Sequence, residues 1–251
     1  MPTDDDRGPR LPDPRPGPDK DARLVRRMFD RVAPRYDLAN TLFSLGRDRH
    51  WRRVAARAAG AAPGLTVVDV AAGTGALSGE LADAGATVVA VDFSWRMLRV
   101  GAGRRSGVHP HHPGRVGWCT ADALRLPLPD ASADAATIAF GLRNLPDPVA
   151  GLTEMARVVR PGGRLVVLEF SRPEAAVPRA LFDRVVLTAM PLAARLVTSD
   201  PAAYGYLADS IRRWPDQAAL AALLRAAGWR AVRWRGLSGG VVALHWAERP
   251  G

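Results

Sequence analysis

The stretch "VVDVAAGTGAL", residues 67–77, carries an apolar run into a turn of small residues and then into a helical pattern. Gly73 and Gly75 let the backbone approach a ligand closely, and the helix N-terminus beyond them offers free N–H groups with positive dipole character. A Gly-x-Gly turn is also an ordinary way to join a strand to a helix. The spacing is not the Gly-x-Gly-x-x-Gly of dinucleotide enzymes, because Ser78 stands where the third glycine would be. The nearest acids are Asp69 ahead of the turn and Asp92 at the end of the next apolar run.

The alternation continues downstream. "ATVVAVDF" (86–93), "RVGWCTAD" (115–122), "DAATIAFGL" (134–142) and "RLVVLEFSRP" (164–173) read as strands. "SWRMLRVGAGRR" (94–105), capped by Ser94, and "PVAGLTEMARVVRPGG" (148–163), stopped by Pro161-Gly162-Gly163, read as helices. This β-α order predicts a parallel sheet with helices on both faces. Residues 21–60 have helical spacing broken at Pro34 and Gly46, which predicts two helices with "PRYDLAN" (34–40) as their elbow. After the fifth strand come an apolar helical segment (176–197) broken at Pro191 and an amphipathic helix (215–229). Two strands around a Ser-Gly-Gly turn (229–248) follow, forming an antiparallel pair. Residues 1–21, rich in Pro, Asp and Arg, are expected to be a disordered tail, leaving 22–251 as one domain.

Composition excludes several classes. Cys119 is the only cysteine, which rules out a disulfide framework and any multi-cysteine metal site and fits a reducing cytosol. No run of about 18 uncharged apolar residues predicts a membrane span, and no apolar signal core predicts secretion. Lys20 is the single lysine among 35 basic residues, so the body has no Walker A lysine, Schiff base or lysine general base. The formal charge of +10 suits nucleic acid or an anionic membrane surface, but the arginines are scattered and form no aromatic-lined stripe. His109, His111 and His112 fall in a Pro/Gly loop and read as solvated, so no metal is expected.

Asp92, at the tip of the second strand, stands beside the glycine turn where it can accept both hydroxyls of a ribose, or else cap the helix starting near Ser94. Asp122-Ala123, after the third strand, suits an adenine edge or a plain turn. With "RVVRPGGRLVVLEF" (157–170) these signals, in this order, resemble the class I S-adenosylmethionine-dependent methyltransferases over residues 65–171. A narrower resemblance is carried by "FDRVAPRYDLAN", "FGLRN", "LVVLEFSRP", "YLADSIRRWPDQ" and "GVVALH". These strings resemble the menaquinone and ubiquinone biosynthesis C-methyltransferases almost end to end after the tail.

That resemblance implies an α/β, Rossmann-like fold with a seven-stranded, mostly parallel sheet, an antiparallel C-terminal strand and a helical lid over 176–197. The lid segment also reads as an extra core helix. The implied activity is C-methylation of a prenylated naphthoquinol in menaquinone biosynthesis, with S-adenosylmethionine as donor and no metal. A paralogue acting on a benzoquinol or a soluble phenol or polyketide is the alternative. Thr74, Asp92, Asp122 and Ala123 carry over as cofactor contacts beside Gly73 and Gly75. The family often has Ser before the Phe-Gly, and here that position is Ala139. The implied setting is the cytoplasm, peripheral to the inner membrane face, with no nucleic-acid partner; a homodimer is compatible.

Arg143 and Asn144 follow the fourth strand. Arginine stays charged at any working pH, so Arg143 is no base. It could steady a quinol oxyanion or orient a water, and the family resemblance implies such a role jointly with Asn144 and Tyr36. The rival readings are an ion pair for Arg143, a helix cap for Asn144 and a packed ring for Tyr36. His245, in the last strand, reads as structural.

Overall fold

The computed structural model describes residues 22–33, 37, 41, 44–105, 114–173 and 201–251. The tail, Tyr36, the three-histidine loop and the 176–197 segment lie outside the described residues. Along the described chain the order is α1 (Ala22–Val32), α2 (Arg47–Ala59), β1 (Thr66–Val70), α3 (Ala76–Asp83), β2 (Thr87–Asp92) and α4 (Trp95–Arg105). Next come β3 (Arg115–Thr120), β4 (Ala133–Ala139), a 3-10 turn (Leu142–Asn144), α5 (Pro148–Val158) and β5 (Val159–Phe170). The chain closes with α6 (Pro201–Arg213), α7 (Gln217–Ala226), β6 (Arg230–Leu237) and β7 (Val242–Glu248).

The strands make one seven-stranded sheet in the order β3-β2-β1-β4-β5-β7-β6. Neighbours from β3 to β5 pair in parallel, and β7 runs antiparallel between β5 and β6. The period of two along each strand sorts side chains to opposite faces. Val68, Val70, Leu165 and Val167 meet Leu152, Met155, Leu220 and Leu224 of α5 and α7 on one face. Val67, Val88, Val166 and Leu168 meet Trp51, Val54, Leu77 and Leu81 of α2 and α3 on the other. Burial on both faces is why these strands read as continuous apolar runs.

The chain moves from β1 to β2 and β3 on one side and then crosses to β4 on the other. This reversal opens a crevice at the carboxyl ends of β1 and β4, where open α/β sheets take ligands. A third cluster, of Val25, Met28 and Tyr206 with Phe29 and Phe93, joins α1 to α6. Among the described residues no helix is long and apolar enough to cross a membrane.

Two details differ from the sequence expectation. The helix expected to run to Pro161 ends at Val158, because Val159 turns to extended backbone and pairs with Ala133 of β4. Its cap is Asp147, whose carboxylate accepts the Ala150 N–H at 2.9 Å, with Pro148 in the first turn. Asn144 is therefore not the cap.

Gly75 shows why the opening motif needs small residues. Its φ of 72° is left-handed, and a Cβ there would come within 2.3 Å of the Trp118 ring. Gly75→Ala should lower the unfolding free energy by about 2–4 kcal/mol in urea denaturation. Adding Trp118→Leu should recover the steric share and leave the backbone share.

Candidate active site

Two strand exits frame the crevice, and each leaves its strand through a non-glycine residue at positive φ. Ala71 follows β1 at 52° and Phe140 follows β4 at 57°. Such conformations are strained for L-residues and persist where surrounding contacts fix them. The exits touch: a Cβ on Gly141 would fall 2.6 Å from that of Ala71. Position 141 therefore has no room for a side chain.

A cavity of about 380 Å³ lies beside these exits. Its walls include Ala71 and Gly73 from the first turn, Asp92, Phe93 and Met97 around the second, and Asp122 and Ala123 after β3. Gly141, Asn144 and Leu145 close the β4 side, and Arg23, Arg26 and Phe29 of α1 lie across it. The volume is that of a nucleoside-sized ligand site.

Asp92 is fixed by accepting the Gly73 N–H and the Ser94 N–H, both at 2.8 Å. Burial pushes its carboxyl up to about 6 despite those bonds. Capping of α4 falls instead to Ser94, whose hydroxyl accepts the Met97 N–H at 3.2 Å and donates to Asp30 at 2.6 Å. Asp122 accepts the Leu124 N–H at 2.9 Å in a local turn and still lines the cavity.

Thr74 is placed differently. Its hydroxyl donates to Asp37 at 2.6 Å, and Asp37 is also ion-paired with Arg104. Thr74 lines a second, small cavity of about 30 Å³, which shares Gly73 with the first. Asp69, Arg52, Ala139 and Phe140 line it too. Asp69 accepts from Ser78 at 2.6 Å and Thr137 at 2.8 Å, and burial raises its carboxyl to about 6. Ser78 is thus the first turn's link to β1 and β4, which explains a hydroxyl where a third glycine would stand.

Arg143 is 4 % exposed and pairs at 2.6 Å with Glu169, which is fully buried. The same Nη1 donates to the Phe140 carbonyl at 2.6 Å, and Nε donates to the Ser210 hydroxyl of α6 at 3.3 Å. The guanidinium also lies over the Phe170 ring, 5.1 Å from its centre. Asn144 donates to the Phe140 carbonyl at 3.3 Å and accepts from the Tyr206 hydroxyl at 3.3 Å. Burial raises the Tyr206 hydroxyl, so it stays a neutral donor. Of the sequence-derived pair, Asn144 is on the cavity wall and Arg143 is behind it; Tyr36 lies outside the described residues.

His245 is fully buried in β7, with Nε2 2.9 Å from the Gln217 carbonyl, and burial lowers its pKa. It holds α7 to the sheet, away from the crevice.

Sequence reasoning missed Arg52, Glu169, Ser210 and Tyr206. Arg52 had a signal: it falls on the apolar face of α2 among Trp51, Val54, Ala55, Ala56 and Ala59. Its guanidinium pairs with Asp48 at 2.5 Å and lies 5.8 Å from the centre of the Phe140 ring. Glu169 was legible as the one acid in the apolar run "RLVVLEF".

A model of the ubiE/COQ5 methyltransferase family matches residues 18–249. The chain is 53 % identical over 232 residues to a demethylmenaquinone methyltransferase of Mycolicibacterium paratuberculosis, covering 92 % of this chain and 96 % of the relative. It is 55 % identical, with the same coverage, to the protein of that name from Mycobacterium sp. strain KMS. Among solved structures, the [4+2]-cyclase SpnF superposes with a TM-score of 0.66 at 20 % identity, covering 91 % of this chain and 96 % of that one. A methyltransferase from Thermotoga maritima superposes at 0.62 and 19 %, covering 89 % and 98 %. These likenesses are to the fold. The chain belongs to the ubiE/COQ5 methyltransferase family and is an S-adenosylmethionine-dependent methyltransferase with the class I fold.

Proposed function

We propose that the chain methylates a ring carbon of a prenylated naphthoquinol, converting demethylmenaquinol to menaquinol. The observation that carries this is identity above one half, over nearly the whole chain, to relatives with that activity in their name. The site fits a nucleoside sulfonium on its own terms. Asp92 presents a carboxylate to a ribose diol, and Asp122 with Ala123 suits the adenine edge. Arg52, beside Thr74 and Asp69, offers a cation to the amino-acid carboxylate. When bound, S-adenosylmethionine supplies an electrophilic methyl on a cationic sulfur, which needs no phosphate cradle or metal.

The chain's own task is to hold the quinol carbon in line with that methyl and to favour the ionised ring hydroxyl. Asn144 is the polar side chain on the β4 side of the cavity, next to Leu145 and Pro146, and can meet a ring oxygen. Arg143 works through it: paired with Glu169, it fixes the Phe140 carbonyl and hence the turn that aims Asn144. Tyr36 completes the group implied by the family resemblance. The new bond would join the methyl to the ring carbon as the sulfur–methyl bond breaks with its electron pair left on sulfur, and the proton leaving that carbon would pass to solvent as the ring regains its aromaticity.

Incubation with S-adenosylmethionine and reduced demethylmenaquinone should give a product heavier by one methyl in mass spectrometry. Turnover of a soluble phenol with none of the quinol would instead favour the paralogue. The raised carboxyl of Asp92 gives a second test, because its ionised form accepts from both hydroxyls of a diol, whereas protonation turns one oxygen into a donor and removes the charge. Donor binding should be about tenfold weaker at pH 5 than at pH 7 by calorimetry, and Asp92→Asn should flatten that slope.

A further inference from the structure

Tyr206 of α6 is buried, and its ring and its hydroxyl serve two different neighbours. The ring packs against Val25 and Met28 of α1, the helix that carries Arg23, Arg26 and Phe29 across the cavity. The hydroxyl donates to Asn144 Oδ1 at 3.3 Å. One turn further along the same helix, the Ser210 hydroxyl accepts from Arg143 Nε at 3.3 Å and donates back to the Leu207 carbonyl at 2.8 Å. Residues at this spacing share a helix face. The two hydroxyls of α6 therefore meet two adjacent residues of the turn after β4, Arg143 and Asn144.

A carboxamide is nearly symmetrical in shape and opposite in chemistry at its two ends. In Asn144 the partners tell the ends apart. Nδ2 donates to the Phe140 carbonyl at 3.3 Å, which can only accept, and Oδ1 takes the tyrosine proton. Turning the amide over would set Oδ1 against the Phe140 oxygen and leave the Tyr206 proton facing an NH2 group. The Phe140 carbonyl is shared, because Arg143 Nη1 holds it at the shorter distance of 2.6 Å. The orientation of the amide therefore leans on the Tyr206 proton. With both bonds made, the second Nδ2 hydrogen is the donor left for a ligand in the cavity that Asn144 lines. Donation into Oδ1 also polarises the amide and strengthens that donor. A ring oxygen gaining negative charge needs a donor there, and a carbonyl oxygen in its place would oppose the charge.

We propose that Tyr206 is a positioning residue for methyl transfer: its hydroxyl holds the Asn144 amide with the nitrogen toward the ring oxygen of the acceptor. The proposal rests on the reading that sets Asn144 against the acceptor. Tyr206→Phe tests it, because phenylalanine keeps the ring on Val25 and Met28 and removes only the donor. At saturating S-adenosylmethionine the variant should lower kcat on a short-tailed demethylmenaquinol about tenfold. Its KM for the quinol and its calorimetric affinity for S-adenosylhomocysteine should stay within about twofold of the parent. Asn144→Ala should lose more turnover, and adding Tyr206→Phe to it should cost nothing further.

A second readout needs no acceptor. In the isotope-labelled chain with S-adenosylhomocysteine, NMR should show the side-chain amide pair of Asn144, identified by its loss in Asn144→Ala, shifted in Tyr206→Phe. Parental kcat in Tyr206→Phe, donor affinity lost in step with turnover, or an unshifted amide pair would each overturn the proposal. So would a further loss of about tenfold on top of Asn144→Ala. A parent inactive on the quinol but active on a soluble phenol sinks the substrate reading alone, and the same set of variants on that phenol still decides the role of Tyr206.

Discussion

A guanidinium and a carboxylate buried together at the end of β4 hold the β4 side of this cavity. Arg143 and Glu169 meet at 2.6 Å with almost no solvent access. Such a pair is tolerated only when the hydrogen bonds around it are complete, and removing one partner typically costs about 3–5 kcal/mol. Here the shell is filled: Glu169 also accepts the Phe170 N–H at 2.9 Å, and Arg143 reaches Phe140 and Ser210. The pair thereby ties the β4 exit to β5 and α6, three elements far apart in sequence. It also keeps Phe140 in its left-handed conformation, with two side chains, Arg143 and Asn144, donating to one carbonyl.

The turns after β1 and β2 are built on the same plan with carboxylates. Asp69 staples the first turn to β4 through Ser78 and Thr137, and Asp92 staples it to the second turn through Gly73 and Ser94. Both carboxyls are pushed up to about 6 because water is excluded around them. The site thus holds its ionisable groups as fixed struts, and preorganised polar groups of this kind favour charge development without rearrangement. Ala139 lines the small cavity beside Thr74 and Asp69. Arg52 is the cation on that wall.

The sheet, its parallel majority and its antiparallel end were legible because period and turn chemistry are local. Asp92 and Asp122 were legible for the same reason: each terminates an apolar run. Partnerships across the topology were not. Arg143 and Asn144 are adjacent in sequence, so they read as one functional pair, yet one faces the cavity and the other turns inward to an acid 26 residues away. Asn144 read as a cap because a helix follows; Asp147, three residues closer to it, took that place. Thr74 read as a cofactor contact, and its partner Asp37 comes from the N-terminal segment, which spacing around the glycine turn cannot reveal.

We propose that Arg143 acts through Asn144 and not on the acceptor itself. A crystal structure with S-adenosylhomocysteine and a short-tailed naphthoquinol bound together tests it most directly. The Asn144 amide should lie within hydrogen-bond reach of a ring oxygen, with the Arg143–Glu169 pair intact. A guanidinium released from Glu169 and bonded to the quinol would contradict it.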